Sequence, residues 1–117
     1  MQILRTSADI YLEEADELLS KNDIIQASEK YYKAEEAIKI LSFNNSIKII
    51  SKVNQIGHWN SKLYFNAIDE LDNIYPNIRS LWISAWILHV EGFHEARLTQ
   101  ENVKLLKNDI EKIIKLI

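Results

Sequence analysis

The chain has no cysteine, one proline and only two glycines among its 117 residues. The absence of cysteine excludes disulfides, thiolate zinc sites and a cysteine nucleophile. Scarce proline and glycine leave few tight turns, which favours helices over a sheet of many short strands. We therefore predict a single all-α domain over residues 1–117, long enough to bury a core without disulfides or a structural metal.

The chain also lacks a large excess of either sign of charge, since 14 basic and 17 acidic residues give a net charge of −3. Without a basic stripe, tight binding to bare nucleic acid is disfavoured. The longest apolar run, around Leu81 to Val90, is too short for a membrane span and contains His89. The first residues lack the apolar centre of a signal peptide. We expect a soluble, cytoplasmic protein without a membrane partner.

The helical pattern is clearest between Asp23 and Leu41. Apolar or small residues recur there at gaps of three and four: Ile24, Ala27, Tyr31, Ala34, Ile38 and Leu41. This spacing is typical of a helix that packs lengthwise against other helices. A short turn separates it from a preceding helix that begins near Thr6 or Ser7, so the two should form an antiparallel hairpin.

Three more helices follow in the sequence pattern. We expect one from Asn60 or Ser61, one over about Asn77 to Glu95, and one that Thr99 caps. Residues 46–56 fit either a strand or a short helix ended by Gly57, and we favour the helix because a lone strand would have no partner. The predicted fold is an up-and-down bundle of four or five helices.

The predicted helix over Asn77 to Glu95 is apolar on nearly all sides. Such a helix lies either at the centre of a bundle or between two bundles. Because it offers more apolar surface than one small bundle normally hides, we expect a homodimer.

Beside the seam of the Asp23 to Leu41 helix lies a polar set, and we place a candidate ligand site there. Its residues, together with a histidine from the apolar helix, are Gln26, Glu29, Tyr32, Lys33 and His89. A buried histidine needs partners for its ring nitrogens. Glu29 would accept from His89 or from a ligand, Lys33 would hold an anion, and Tyr32 would form a wall. The favoured function is a non-enzymatic interaction or small-ligand-binding module.

A metal site is not expected from the sequence. Glu91, His94 and Glu95 lie on one face of a helix, and Glu-x-x-His is the spacing used by di-iron bundles. That site needs a second copy of the motif on another helix, and the chain has none. We therefore predict a solvent-facing helix end, no metal and no cofactor.

The chain resembles the archaeal PaREP-type domain family over about Ala8 to Val103. The residues that carry the resemblance are Asn22-Asp23, Gln26 to Ala34, Leu81-Trp82, Ala85, Leu88-His89 and Phe93. The family is similar to the broader HEPN-like helical bundles. This similarity implies a helical bundle that often pairs into dimers, and a nucleotidyltransferase as a candidate protein partner.

The HEPN-like resemblance also implies an alternative function, an RNase or toxin–antitoxin component. Such RNases carry an arginine followed by four to six residues and a histidine. Here nine residues separate Arg79 from His89, so any such site would be degenerate or rearranged across a dimer interface.

Overall fold

The computed structural model describes residues 7–33 and 35–117, and within them every regular element is a helix. The α-helices are α1 (Ser7–Ser20), α2 (Ile24–Tyr32), α3 (Glu35–Asn44), α4 (Ile49–Ile56), α5 (Ser61–Leu71), α6 (Ile78–Ile87) and α7 (Gln100–Ile114). Residues Leu88–His94, here called the π segment, continue α6 as a π-helix. The predicted all-α class is confirmed. None of these described helices is long and apolar enough to cross a membrane.

Side-chain caps begin several of these helices where the sequence predicted them. Asp23 accepts from the N–H of Gln26 at the start of α2, and Asn60 accepts from the N–H of Leu63 at the start of α5. Thr99 starts α7 with a capping box that pairs it with Asn102. Each cap satisfies an N–H that has no partner within its helix. The helix α1 begins at Ser7, whereas Thr6 lies outside the described residues.

The region predicted as one helix up to Leu41 forms two helices, α2 and α3. The helix α2 packs against α1 and the π segment, whereas α3 packs against α5. Ala34, between them in sequence, lies outside the described residues. Residues 49–56 are helical, as favoured, and Gly57 ends α4 at a φ of 91°, where glycine has no steric penalty. These differences give more helices than the four or five predicted.

The helix α6 lies at the centre of the bundle and packs against α2, α5 and α7. Ile78, Trp82, Ala85 and Leu88 are almost completely buried. Burial of each large side chain of this kind contributes roughly 1.5–3 kcal/mol before the entropy of ordering is subtracted. Within one chain the helix therefore lies at the centre of the bundle, with Ile83 on its outer side still 46% exposed.

Candidate ligand-binding site

The candidate site lies where α2 crosses the π segment. The two backbones approach closely there because residue 92 is a glycine. A Cβ on Gly92 would lie 2.5 Å from the Cβ of Ser28 and even closer to its hydroxyl oxygen. Ser28 itself is completely buried and donates its hydroxyl hydrogen to the carbonyl of Ile24 at 2.7 Å. This contact holds the residues of α2 that follow Ser28 against those of the π segment.

Three polar side chains form a hydrogen-bonded row across this crossing. His89 Nδ1 lies 3.0 Å from Glu29 Oε2, and His89 Nε2 lies 3.1 Å from His94 Nε2. A carboxylate only accepts, so Nδ1 of His89 carries the proton in the first bond. The side chains of Glu29 and His89 are each 20% exposed, and His94 is exposed. The row therefore runs from the interior to the surface.

Tyr32 lies beneath this row instead of forming an open wall. Its ring stacks on the imidazole of His89, with centroids 4.1 Å apart and planes 22° apart, and the residue is only 6% exposed. Burial raises the pKa of Tyr32 above the ordinary value for tyrosine, and the carboxylates of Glu35 and Glu29 raise it further. The hydroxyl therefore keeps its proton. Tyr32 supports the position of the imidazole.

Two half-buried aromatic rings flank His89 on the outer side. The ring of Trp86 lies 5.5 Å from the imidazole, tilted by 45°, and the ring of Phe93 lies 6.4 Å away in a stacked orientation. Phe93 also packs against His94, with centroids 5.1 Å apart. Polar groups between apolar aromatic walls are the usual composition of small-molecule sites.

The structure brings together four of the five residues predicted for the ligand site. Glu29, Tyr32 and His89 are in direct contact, and Lys33 Nζ lies 4.0 Å from Glu29 Oε1. Lys33 keeps 43% of its side chain exposed, so its ammonium group is accessible to an anion. Gln26 is exposed on α2, three residues before Glu29, and is not part of the hydrogen-bonded row.

Arg79, predicted for the alternative site, is held away from His89. Its guanidinium Nη1 lies 2.6 Å from Asp69 Oδ1 on α5. Ten residues of a helix separate the two along the axis, about 15 Å at 1.5 Å per residue. Within one chain Arg79 and His89 do not meet, so an RNase site would need these residues from different copies.

Sequence reasoning missed His94 as a partner of His89. In an α-helix, residues five apart lie about 140° apart around the axis, on different faces. A π-helix instead bonds residues five apart, as in the bond from Glu95 N–H to the Val90 carbonyl at 2.9 Å. The available signal was Gly92, a glycine within a helical pattern, which marks either a break or a close approach.

Two surface depressions lie away from the row. One of about 560 Å³ lies beside α4 and α5, and its lining includes Lys48, Lys52 and Glu70. The other, of about 400 Å³, lies between α1 and α7. None of the residues that the sequence analysis proposed for a functional site lines either depression.

Comparison with known proteins supports the resemblance stated above. The model of the Archaeal PaREP1/PaREP8 family matches residues 3–114. A crystal structure of a protein from Sulfolobus solfataricus is 50% identical, with a TM-score of 0.91, covering 97% of this chain and 94% of that one. A solution structure of the same target has a TM-score of 0.87 at 50% identity, covering 97% and 89%. No curated protein matches the chain. The chain belongs to the archaeal PaREP1/PaREP8 family.

Proposed function

We propose that this protein is a non-enzymatic binding module that takes a planar, anionic small molecule of the nucleotide type. The observation that carries the proposal is the row Glu29–His89–His94, which reaches the surface beside a half-buried aromatic ring. Phe93 would stack on the planar part of the ligand, and His94 would hydrogen-bond its edge. Lys33, on the exposed side of Glu29, would contact the anionic group.

Adenosine monophosphate, titrated in the presence of EDTA and followed by NMR chemical shifts, tests this function. We expect saturable shifts at residues around Phe93 in the wild type, and affinity at least tenfold lower in Lys33→Ala. Lys39→Ala is the matched control, because Lys39 also forms an ion pair with a nearby glutamate, Glu36, at 3.1 Å. Absence of binding, or equal affinity in the two lysine variants, would overturn the proposal.

A homodimer is the second part of the proposal. Ile83 is 46% exposed and lies one helical turn before Trp86, whose half-buried ring contacts Phe65 at a centroid distance of 5.2 Å. These three side chains form an apolar face on α5 and α6, which a second copy would cover. An RNase site across copies would also require such a dimer, and a nucleotidyltransferase partner would compete for the same face.

Light scattering after size-exclusion chromatography tests the dimer. We expect a dimeric mass for the wild type and a monomeric mass for Ile83→Lys. Ile10→Lys is the control, because Ile10 is 45% exposed but lies on α1, away from this face. A wild type that is monomeric at all concentrations, or equal dissociation by both changes, would contradict this assembly.

A further inference from the structure

The orientation of His89 is the one that metal-binding histidines have in proteins. Its Nδ1 donates to the carboxylate of Glu29 at 3.0 Å, which leaves a lone pair on Nε2, and this lone pair accepts a hydrogen bond from Nε2 of His94. Ligating histidines almost always donate their other ring N–H to a carboxylate, a carbonyl or water, which selects the tautomer and fixes the ring. In His89 the unprotonated Nε2 is directed towards the exposed His94.

The two Nε2 atoms of His89 and His94 lie 3.1 Å apart, and their rings are nearly perpendicular, at 85°. Two nitrogens that each lie about 2.0–2.1 Å from one zinc ion at the tetrahedral angle are separated by about 3.3 Å. Binding of one ion would release the Nε2 proton of His94 to water, and a rotation of this exposed side chain would direct both lone pairs at the ion. We propose that His89 and His94 bind a divalent transition metal, with Glu29 as the positioning residue.

The π segment is what makes this pair possible. His89 and His94 are five residues apart, so an α-helix would turn them about 140° away from each other. The π-helical backbone places both histidines on one side of the segment. The close contact of Gly92 with Ser28 packs this segment against α2. π-Helical turns are rare and occur frequently at functional sites. The α-helical spacing assumed from the sequence groups Glu91, His94 and Glu95 on one face. It therefore did not place His94 beside His89, five residues earlier.

The ligand set defines the class of metal. Imidazole nitrogens suit Zn²⁺, Cu²⁺ and Ni²⁺, whereas Mg²⁺ and Ca²⁺ prefer oxygen. The nearby carboxylates of Glu91 and Glu95 are paired with Arg97, at 3.8 and 3.2 Å. Among the described residues, no three His, Asp or Glu side chains form a metal cluster. Two histidines would thus supply the protein ligands, and water or a bound anion would complete the coordination.

Titration of the untagged, full-length protein with Cu²⁺ and Zn²⁺ tests this inference. Electron paramagnetic resonance of the copper form should show one ion per chain bound by two imidazole nitrogens. His94→Ala should remove one of these nitrogens and lower the affinity for both metals at least tenfold. Glu29→Gln should keep both nitrogens and weaken affinity about 10–100-fold, the range found for such outer partners.

His58→Ala is the matched control, because His58 is the remaining histidine and is exposed between α4 and α5. It should bind metal as the wild type does. Equal affinity in His94→Ala and His58→Ala would overturn the site, as would a copper spectrum unchanged by His94→Ala. Metal binding is measured without nucleotide, and nucleotide binding is measured in EDTA, so each proposal can fail without the other.

Discussion

Gly92→Ala should destabilise the protein strongly, because the new Cβ would overlap Ser28. The Cβ of residue 92 would lie 2.5 Å from the Cβ of Ser28. Carbon atoms in contact are ordinarily about 3.5–4.0 Å apart, so α2 and the π segment would have to separate by roughly 1–1.5 Å. Leu98 Cδ1, at 3.2 Å, is the end of a flexible side chain and can move aside. The obstacle is the rigid Cβ of Ser28.

The cost follows from that rigidity. Overpacking a well-packed core costs typically about 1–3 kcal/mol, and a clash with an atom fixed to a helix backbone belongs in the upper half of that range. A loss of about 2–3 kcal/mol should lower the melting temperature by roughly 8–12 °C for a domain of this size. Urea denaturation followed by circular dichroism measures the loss directly, with the free energy of unfolding extrapolated to water.

A double-mutant cycle distinguishes this clash from a general intolerance of alanine. Ser28→Gly removes both clashing atoms and by itself costs about 0.5 kcal/mol in helix propensity, in addition to the lost packing of a buried side chain. The double variant should therefore be more stable than the sum of the single changes by about 1 kcal/mol or more. Gly57→Ala is the control, because its new Cβ meets no atom within 4 Å and carries only the strain of a φ of 91°. A Gly92→Ala loss under about 0.5 kcal/mol, or strict additivity with Ser28→Gly, would refute the reasoning.

Two further predictions concern buried polar groups. Burial raises the pKa of Glu35 above its ordinary value, so its stabilising contribution is complete in acid and is lost as pH rises through the raised pKa. Glu35→Gln should therefore gain stability relative to the wild type, in urea denaturation, as pH rises from the ordinary pKa of glutamate through the raised pKa of Glu35, and a pH-independent difference would contradict this. Tyr31 donates to Asp16 at 2.5 Å across the α1–α2 hairpin, and Lys107 holds the same carboxylate at 2.8 Å. Because Lys107 keeps Asp16 paired, Tyr31→Phe should lower the free energy of unfolding by only about 1 kcal/mol, as measured by thermal unfolding. A loss above about 3 kcal/mol would contradict this, because it exceeds the contribution of one hydrogen bond.

Part of the candidate site could be predicted because it depends on spacing along one helix. Lys33, the C-cap of α2, follows Glu29 by four residues, so the two lie on the same side of that helix. That His89 would have a hydrogen-bonding partner was predictable from its chemistry, since it lies among apolar neighbours, but the sequence left Glu29, Ser28 and a tyrosine hydroxyl open as that partner. The outer boundary of the site, at His94 and Phe93, was not predictable, because both positions depend on the π register.

The sequence by itself determined the helical class, the caps at Asp23 and Thr99, the start of α5 to within Asn60 or Ser61, and the apolar seam between Ile24 and Leu41. These features depend on residues within a few positions of each other, through a 3.6-residue period and local hydrogen bonds. The tertiary structure decided that α2 packs mainly on α1 and the π segment and α3 mainly on α5, and that residues 88–94 form a π-helix. It also decided that His94 meets His89. These results depend on contacts between distant segments, above all the approach of Gly92 to Ser28, and such contacts leave no periodic trace in the sequence.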